Sequence, residues 1–336
     1  MGRPREGTAR FGLFLAVWLL LIAAGVIWAV RSSGSSLRDL GALLGFPAPT
    51  VVLLLALCLG LYLSDVERYR LFGRALGVVV TRRAGFDAAV ANVFFSWTTP
   101  GAAFGMPAAI VMLRRHGVPW DVATLISFGK SMTSAAFLLA AAFAVLAAGL
   151  GPGSSGEIRL VLTIGAGVVA SWLAIPLVGA LFPRRALALI DRLGRGGRLA
   201  AGLRDGVERL AGLRAAGAPL LAGLAVAHAV YFVLLIGIGV VLALALGAES
   251  WPRAAGVSTV FVAFSYVAPT PGGAGLSEAA AVPFYGAILP PAEAVVLVLL
   301  YRALTFYLQI AVGALYLPFA GGIGDIVARR WPKGPA

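Results

Sequence analysis

The chain reads as an all-α polytopic membrane protein of about six transmembrane helices and two re-entrant helical hairpins in an inverted repeat. Three observations lead there. The 336 residues are 60% hydrophobic and 12% charged, with a mean hydropathy of +0.94, whereas a soluble domain is roughly 45–50% apolar and 25% charged. The apolar residues fall in long runs between charged loops, which favours helices over barrel strands, whose apolar residues alternate. A motif also recurs. Thr99-Pro100-Gly101 in the first half returns as Thr270-Pro271-Gly272 in the second. Pro119, Asp121, Lys130 and Thr133 return as Pro291, Glu293, Arg302 and Thr305, at a common offset that is longer by a single position. One insertion between the two blocks reconciles the offsets.

The elements follow in order. Arg3, Arg5 and Arg10 precede an unbroken apolar stretch from Phe11 to Val30. It is longer than a signal-peptide core of about 7–15 residues and no small-x-small site closes it, so it reads as an uncleaved first span. Further spans are expected at 46–64, 121–149, 159–182, 219–247 and 293–319, each near the ~20 residues that cross a ~30 Å core. Residues 86–113 and 254–289 each hold two short apolar stretches, broken at Pro100-Gly101 and at Pro271-Gly272-Gly273. Neither half can cross alone. Proline ends a helix and glycine permits a sharp turn, so each segment is expected to dip in and return. Broken backbone at that depth is tolerated only inside protein or beside a water-filled cavity.

Charge placement supports this reading. The formal net charge of +13 comes from 25 Arg and two Lys. With the N-terminus inside and both broken segments re-entrant, residues 1–10, 65–85, 114–120, 183–218 and 320–336 are cytoplasmic and hold 21 of the 27 Lys+Arg. Arg31, Arg38, Arg159 and Arg253 fall outside, and Lys130 and Arg302 fall within spans. Were each broken segment to cross once, Arg114, Arg115 and the eight Arg of 183–218 would face the wrong side. The expected localisation is therefore the inner or plasma membrane of the cell, with both termini cytoplasmic. Three crossings separate Pro100 from Pro271, an odd number, so the halves 11–149 and 159–319 are expected to be inverted within a single integral membrane domain, 1–336. The basic segment 183–218 places Leu199, Leu203, Val207 and Leu210 at helical spacing, with Arg204, Asp205, Glu208 and Arg209 among them. It reads as a helix on an anionic inner membrane surface or as a solvated connector. Residues 150–158 and 325–336 read as plain connectors. Arginines clustered between spans also argue against nucleic-acid binding.

Lys130 and Arg302 each lie nine positions past the acidic residue that opens the span, Asp121 or Glu293. At ~1.5 Å per residue this is about 14 Å deep, near mid-bilayer. A charge there costs at least about 2.5–3.5 kcal/mol, so each cation requires an internal partner. Glu278, six positions past Gly272, is the expected partner of Arg302, as a structural tie or a gate. A lone Glu there would instead be a proton carrier. Gly101 and Gly272 are expected to open the returning half-helices, whose free N–H groups and positive ends suit an anion, with phosphate the commonest in membranes. The candidate substrate-binding residues are Lys130, Arg302, Glu278, Pro100, Gly101, Thr270, Pro271, Gly272 and Gly273, with Ser96, Thr98, Thr99 and Ser277 nearby. Asn92, His228 and Gln309 read as helix–helix hydrogen bonders. The single cysteine, Cys58, and two histidines give no disulfide, no metal-ligand spacing and no nucleophile–base pair. The expectation is a non-enzymatic protein without metal or cofactor.

Pro269-Thr270-Pro271-Gly272-Gly273-Ala274-Gly275-Leu276-Ser277-Glu278 resembles the Pro-Gly-Gly-x-Gly-x-x-Glu signature of the lysylphosphatidylglycerol synthase transmembrane, or flippase-like, family. Leu300-Tyr301-Arg302-Ala303-Leu304-Thr305 followed by Gly313 is similar to its next block. Thr99-Pro100 through Gly105-Met106-Pro107, then Leu113-Arg114-Arg115-His116-Gly117-Val118, looks like the first-half block. The resemblance runs over about residues 11–320. It implies a lipid flippase, a domain fused in the best-known members to an aminoacyltransferase; this chain ends at Ala336 without one and is expected not to synthesise the aminoacyl lipid. Where the family pattern has Glu or Gln between Gly105 and Pro107, this chain has Met106, which removes a polar group from the first hairpin.

The functional expectation is transport of an anionic phospholipid headgroup between leaflets through a midplane site. Two other classes remain open. One is a secondary transporter of a small soluble anion, with Glu278 carrying protons. The other is a non-transporting partner of a lipid-modifying enzyme. The expected partners are anionic membrane lipids, with a lipid-modifying enzyme or a second copy of the chain also admitted.

Overall fold

Proline starts many of the helices of this protein. The computed structural model describes residues 45–99, 102–152, 156–193, 204–209, 217–268 and 270–320. The helices are α1 (Ala48–Ala75), α2 (Arg82–Thr98), α3 (Gly105–Arg115), α4 (Trp120–Ala147), α5 (Gly156–Leu181), α6 (Pro183–Leu193), α7 (Ala218–Ala245), α8 (Trp251–Val267), α9 (Leu276–Ala279), α10 (Ala281–Tyr285), α11 (Pro291–Arg302) and α12 (Leu308–Ala320). A 3-10 turn, Pro271–Gly273, precedes α9, and a π-helical turn, Ala303–Tyr307, joins α11 to α12. Pro119 and Pro290 stand at the N-caps of α4 and α11, and α1, α7, α8 and α11 carry proline in their first two positions. There the missing N–H costs nothing and the fixed φ suits the helix. Asp121 and Glu293 lie in the first turns of α4 and α11, where their charge meets the positive helix end. Gly77, at φ 74°, closes α1 by donating to the Arg74 carbonyl while Val78 donates to Gly73, an ending only a residue free of Cβ adopts without strain.

Four helices are long and apolar enough to cross a membrane: α1, α4, α7 and the 30-residue run of α11 through α12. They match the spans expected at 46–64, 121–149, 219–247 and 293–319, except that α1 runs on to Ala75. Helix α5 covers the span expected at 159–182. The stretch 11–30 lies outside the described residues. Their outer faces are apolar: α1 exposes Val52, Leu55, Leu59 and Leu63 at helical spacing and turns Leu54, Cys58, Leu61, Asp65 and Arg68 inward. An apolar exterior is what lipid requires, and the charges face the other way. The extension of α1 corrects the sequence reading, which placed residues 65–85 in a cytoplasmic connector. Arg68 belongs with Lys130 and Arg302 as a buried cation and not with the loop charges.

Both broken segments form antiparallel helical pairs. Near the turn of the first, Gly105 lies against α2: a Cβ there would fall 2.7 Å from the Asn92 carbonyl and would strike Ser96 Oγ. At the open end, His116 Nε2 meets Asp87 Oδ2 at 2.7 Å. In the second, Ser277 Oγ donates to Ser265 Oγ at 2.9 Å and Tyr285 OH donates to Ser258 Oγ at 3.1 Å, so residues 277–285 run back along α8. The eleven residues of α3 span about 16 Å, half of a ~30 Å hydrocarbon core. The return of the second segment is two short helices, α9 and α10, and not one continuous half-helix.

Two apolar clusters fill the interior. One joins α1, α4, α5, α7, α8, α10 and α11 around Phe232, Phe261, Phe284 and Tyr285. The other joins α1 to α4 with α12, around Tyr69, Met112, Leu113 and Ile126, and Met106 packs on its edge. Of the basic connector, α6 and a helical turn at 204–209 are described. Arg209 pairs with Asp121 at the start of α4, which docks the connector there, and Arg204 pairs with Asp191 on α6 within the connector itself. Leu199, Leu203 and Leu210 lie outside the described residues.

The Gly105 contact tests the packing of the first hairpin. Gly105→Ala should lower thermal stability in detergent by about 1–3 kcal/mol, because backbone of α2 stands in the way. Gly167→Ala, in open space on α5, should leave it unchanged or raise it by up to about 1 kcal/mol.

Candidate functional site

The end of α2 meets the turn of the second broken segment. Gly272, at φ 54°, lies against Trp97 near the end of α2: a Cβ on it would fall 2.7 Å from Trp97 Cε3 and would strike the Phe306 ring. The Trp97 and Phe306 rings meet edge to face with centroids 5.6 Å apart. Ala274 and Phe306 form a small buried cluster there with Trp97, Tyr307 and Ile310. The glycine is therefore needed for both its backbone angle and its lack of a side chain. Pro100 and Gly101, the first-hairpin turn residues, lie outside the described residues, as does Pro269.

Arg302 is locked to this tip. Its Nε donates to Glu278 Oε1 at 3.0 Å, its Nη1 donates to the Gly272 carbonyl, and its guanidinium carbon lies 3.7 Å from the centroid of the Phe306 ring. The second oxygen of Glu278 accepts from the Gly275 N–H at 2.8 Å. The expected Arg302–Glu278 pair is formed, with both residues buried. The π-helical turn begins directly after Arg302. Such a turn widens the helix locally, and Cys58 Sγ lies 4.0 Å from the Leu304 carbonyl within it.

The geometry corrects two expectations for the glycines. Helix α3 opens at Gly105 and not Gly101, and α9 opens at Leu276 and not Gly272. Gly272 turns its carbonyl to Arg302, Glu278 closes the α9 N-terminus by accepting from Gly275, and Gly273 donates to the Thr270 carbonyl at 3.0 Å. At the start of α9 the Gly275 N–H is thus already taken by Glu278. The free donors are side chains that sequence reading weighed differently or missed. Arg302 Nη2, Thr270 Oγ1 and Trp97 Nε1 are all buried without a hydrogen-bond partner among the described residues. All three belong to residues that touch or closely precede Gly272. An unmet buried donor costs about 1–3 kcal/mol, so three at one place mark it as a candidate polar site.

Lys130 has a different setting. Its Nζ donates to both oxygens of Asp65 on α1, at 3.0 and 3.1 Å. Arg68, one turn further along α1, also pairs with Asp65 and donates through Nη1 to Ser134 Oγ at 2.8 Å. The Arg68 guanidinium stacks 3.7 Å from the Tyr231 ring centroid, and Lys130 Nζ stands 4.6 Å from that of Tyr69. Asp65, Arg68 and Lys130 are all buried. Beside them a cavity of ≈ 10 Å³, about one water in size, is lined by Leu61, Tyr62, Asp65, Val93, Tyr231 and Gln309. His228 bonds Thr133 Oγ1 on α4 at 3.0 Å, a helix–helix contact as expected, whereas Gln309 faces the cavity.

A third polar group lies at the open end of the first hairpin. Asp87 on α2 is buried, receives Tyr316 OH from α12 at 2.6 Å and meets His116 just past α3. This ties the hairpin to the other half of the chain.

A helical membrane protein with paired buried charges at a helical break is of the kind that handles polar groups within a bilayer. The family model described as "Lysylphosphatidylglycerol synthase TM region" matches residues 12–313, and the chain belongs to that family. It is a membrane protein of a family tied to lipid modification or transport. No curated protein matches the chain.

The Arg302–Glu278 tie makes a measurable prediction. Glu278→Gln and Arg302→Gln should each lower stability by about 3–5 kcal/mol, since each strands a buried charge. The double variant should recover a substantial part of the loss, in thermal unfolding of the detergent-solubilised protein.

Proposed function

We propose that the protein carries an anionic lipid headgroup between leaflets, with the headgroup phosphate docking where the end of α2 meets the turn of the second hairpin. The observation that carries this reading is the set of three buried, unpartnered donors, Arg302 Nη2, Thr270 Oγ1 and Trp97 Nε1, around Gly272. A phosphate presents several acceptor oxygens and a charge that suits a guanidinium. Glu278 holds Arg302 by Nε and leaves Nη2 to the substrate, so it acts as an anchor and, when the tips part, as a gate. Both of its oxygens are engaged, which disfavours a proton-carrier role. Pro100 and Gly101 are kept as candidate binding residues from their sequence motif alone.

In this reading the hairpins are re-entrant from opposite faces and the halves form an inverted repeat. Parting the tips toward one side and then the other exposes Arg302 to each leaflet alternately. The acyl chains stay in lipid, against the apolar outer faces. The short length of α3 and of α9 with α10 supports re-entrance, and family membership supports lipid as the cargo.

The test is a leaflet assay on purified protein in liposomes with headgroup-labelled lipids. Wild-type protein should move anionic lipid faster than zwitterionic lipid. Trp97→Phe keeps a ring on Gly272 and removes one N–H, and should slow anionic crossing about tenfold, the effect of losing one hydrogen bond to a charged group. Unchanged crossing in Trp97→Phe and in Arg302→Gln, both folded, would overturn the assignment.

A further inference from the structure

We infer that the groove at the mouth of the second hairpin seats a phospholipid headgroup that carries both a phosphodiester and a primary ammonium. The groove has a volume of ≈ 400 Å³, within the ~300–1,000 Å³ of small-molecule sites. Gly247, Glu249, Ser250 and Arg253 line it from the end of α7 and the start of α8, and residues 286–290 line it just before α11. It shares no residue with the Arg302 site or the Asp65 cluster.

Depth points to a lipid headgroup. Helix α11 begins at the groove and ends at Arg302, about 17 Å along the axis. That is about half of a ~30 Å hydrocarbon core, so with Arg302 near mid-bilayer the groove falls at headgroup level. Trp251, 67% exposed and next to Ser250, lies at the same level, where tryptophan collects in membrane proteins. Leu244, also exposed, gives an apolar flank for an acyl chain. The charges point to a zwitterion. Glu249 and Arg253 both line the groove, four positions apart, yet neither makes an ion pair among the described residues. Ser250, the N-cap of α8, makes no side-chain bond to its own helix. A phosphodiester accepts from Arg253 and Ser250, and a primary ammonium donates to Glu249. No aromatic ring lines the groove, which disfavours a quaternary ammonium, since aromatic faces hold such groups. The inference rests on the membrane reading of the chain and not on transport.

The test is thermal unfolding of the full-length protein in a neutral glycoside detergent, titrated with short-chain phosphatidylethanolamine, phosphatidylglycerol or phosphatidylcholine. The ethanolamine lipid should raise Tm most. Glu249 and Arg253 are exposed, so replacing them should leave Tm without lipid unchanged. Glu249→Gln should weaken the apparent affinity for the ethanolamine lipid about tenfold and leave that for the glycerol lipid unaltered. Arg253→Gln should weaken both about tenfold, the effect of losing one hydrogen bond to a charged group. Equal responses of the wild type to all three lipids, or a full ethanolamine response in both variants, would overturn the site. An equal rise with water-soluble glycerophosphoethanolamine would overturn lipid as the occupant. Trp97→Phe should keep the whole ethanolamine response, so failure of the leaflet assay and failure of this groove are read separately.

Discussion

The burial of Arg302 against the tip of the second hairpin is the interaction on which the rest of the site depends. A guanidinium at that depth must be neutralised and hydrogen-bonded within the protein. Glu278 supplies the charge, the Gly272 carbonyl supplies an acceptor, and the Phe306 ring supplies a face. For these three to converge, the chain must turn sharply at Pro271–Gly273 and α9 must start close by, with Glu278 capping its own helix through Gly275. The π-helical turn that follows Arg302 sets Phe306 beneath it. Tip, helix and cation form one unit, and the first hairpin leans on that unit through Trp97.

The two halves resolve the same problem differently. In the second, one acid meets one base inside the hairpin itself. In the first, the acid comes from α1, outside the hairpin, and serves two bases. The balanced pair stabilises the tip and leaves one guanidinium nitrogen free; the unbalanced cluster carries a net charge. Asp87 fixes the open end of the first hairpin to α12 through Tyr316.

Much of this was legible in the sequence. Long apolar runs marked four of the spans, and the broken segments marked the two antiparallel helical pairs, because proline and glycine act locally. Glu278 as the partner of Arg302 was legible because a deep cation needs an internal acid and Glu278 lies in the returning half of the second broken segment. The partner of Lys130 was not. Asp65 follows the expected end of an apolar run, and with Glu67, Arg68 and Arg70 it looks like the start of a charged loop. A signal was present in the helical spacing, since Leu54, Cys58, Leu61, Asp65 and Arg68 share one face. Hydropathy averages over faces and hides it. Trp97 was missed because its role depends on a contact between segments from opposite halves of the chain, which no local pattern encodes. The open donors were expected at half-helix N-termini, but both return helices start later, and Glu278 occupies one of those ends.

The most direct measurement of the central claim is an electron cryomicroscopy map of the protein in nanodiscs of phosphatidylglycerol, resolved well enough to see headgroups. The account predicts phosphate density between the hairpin tips, within hydrogen-bond reach of Arg302 Nη2, Thr270 Oγ1 and Trp97 Nε1. Tips closed on one another without such density, with ordered lipid confined to the outer apolar faces, would contradict it.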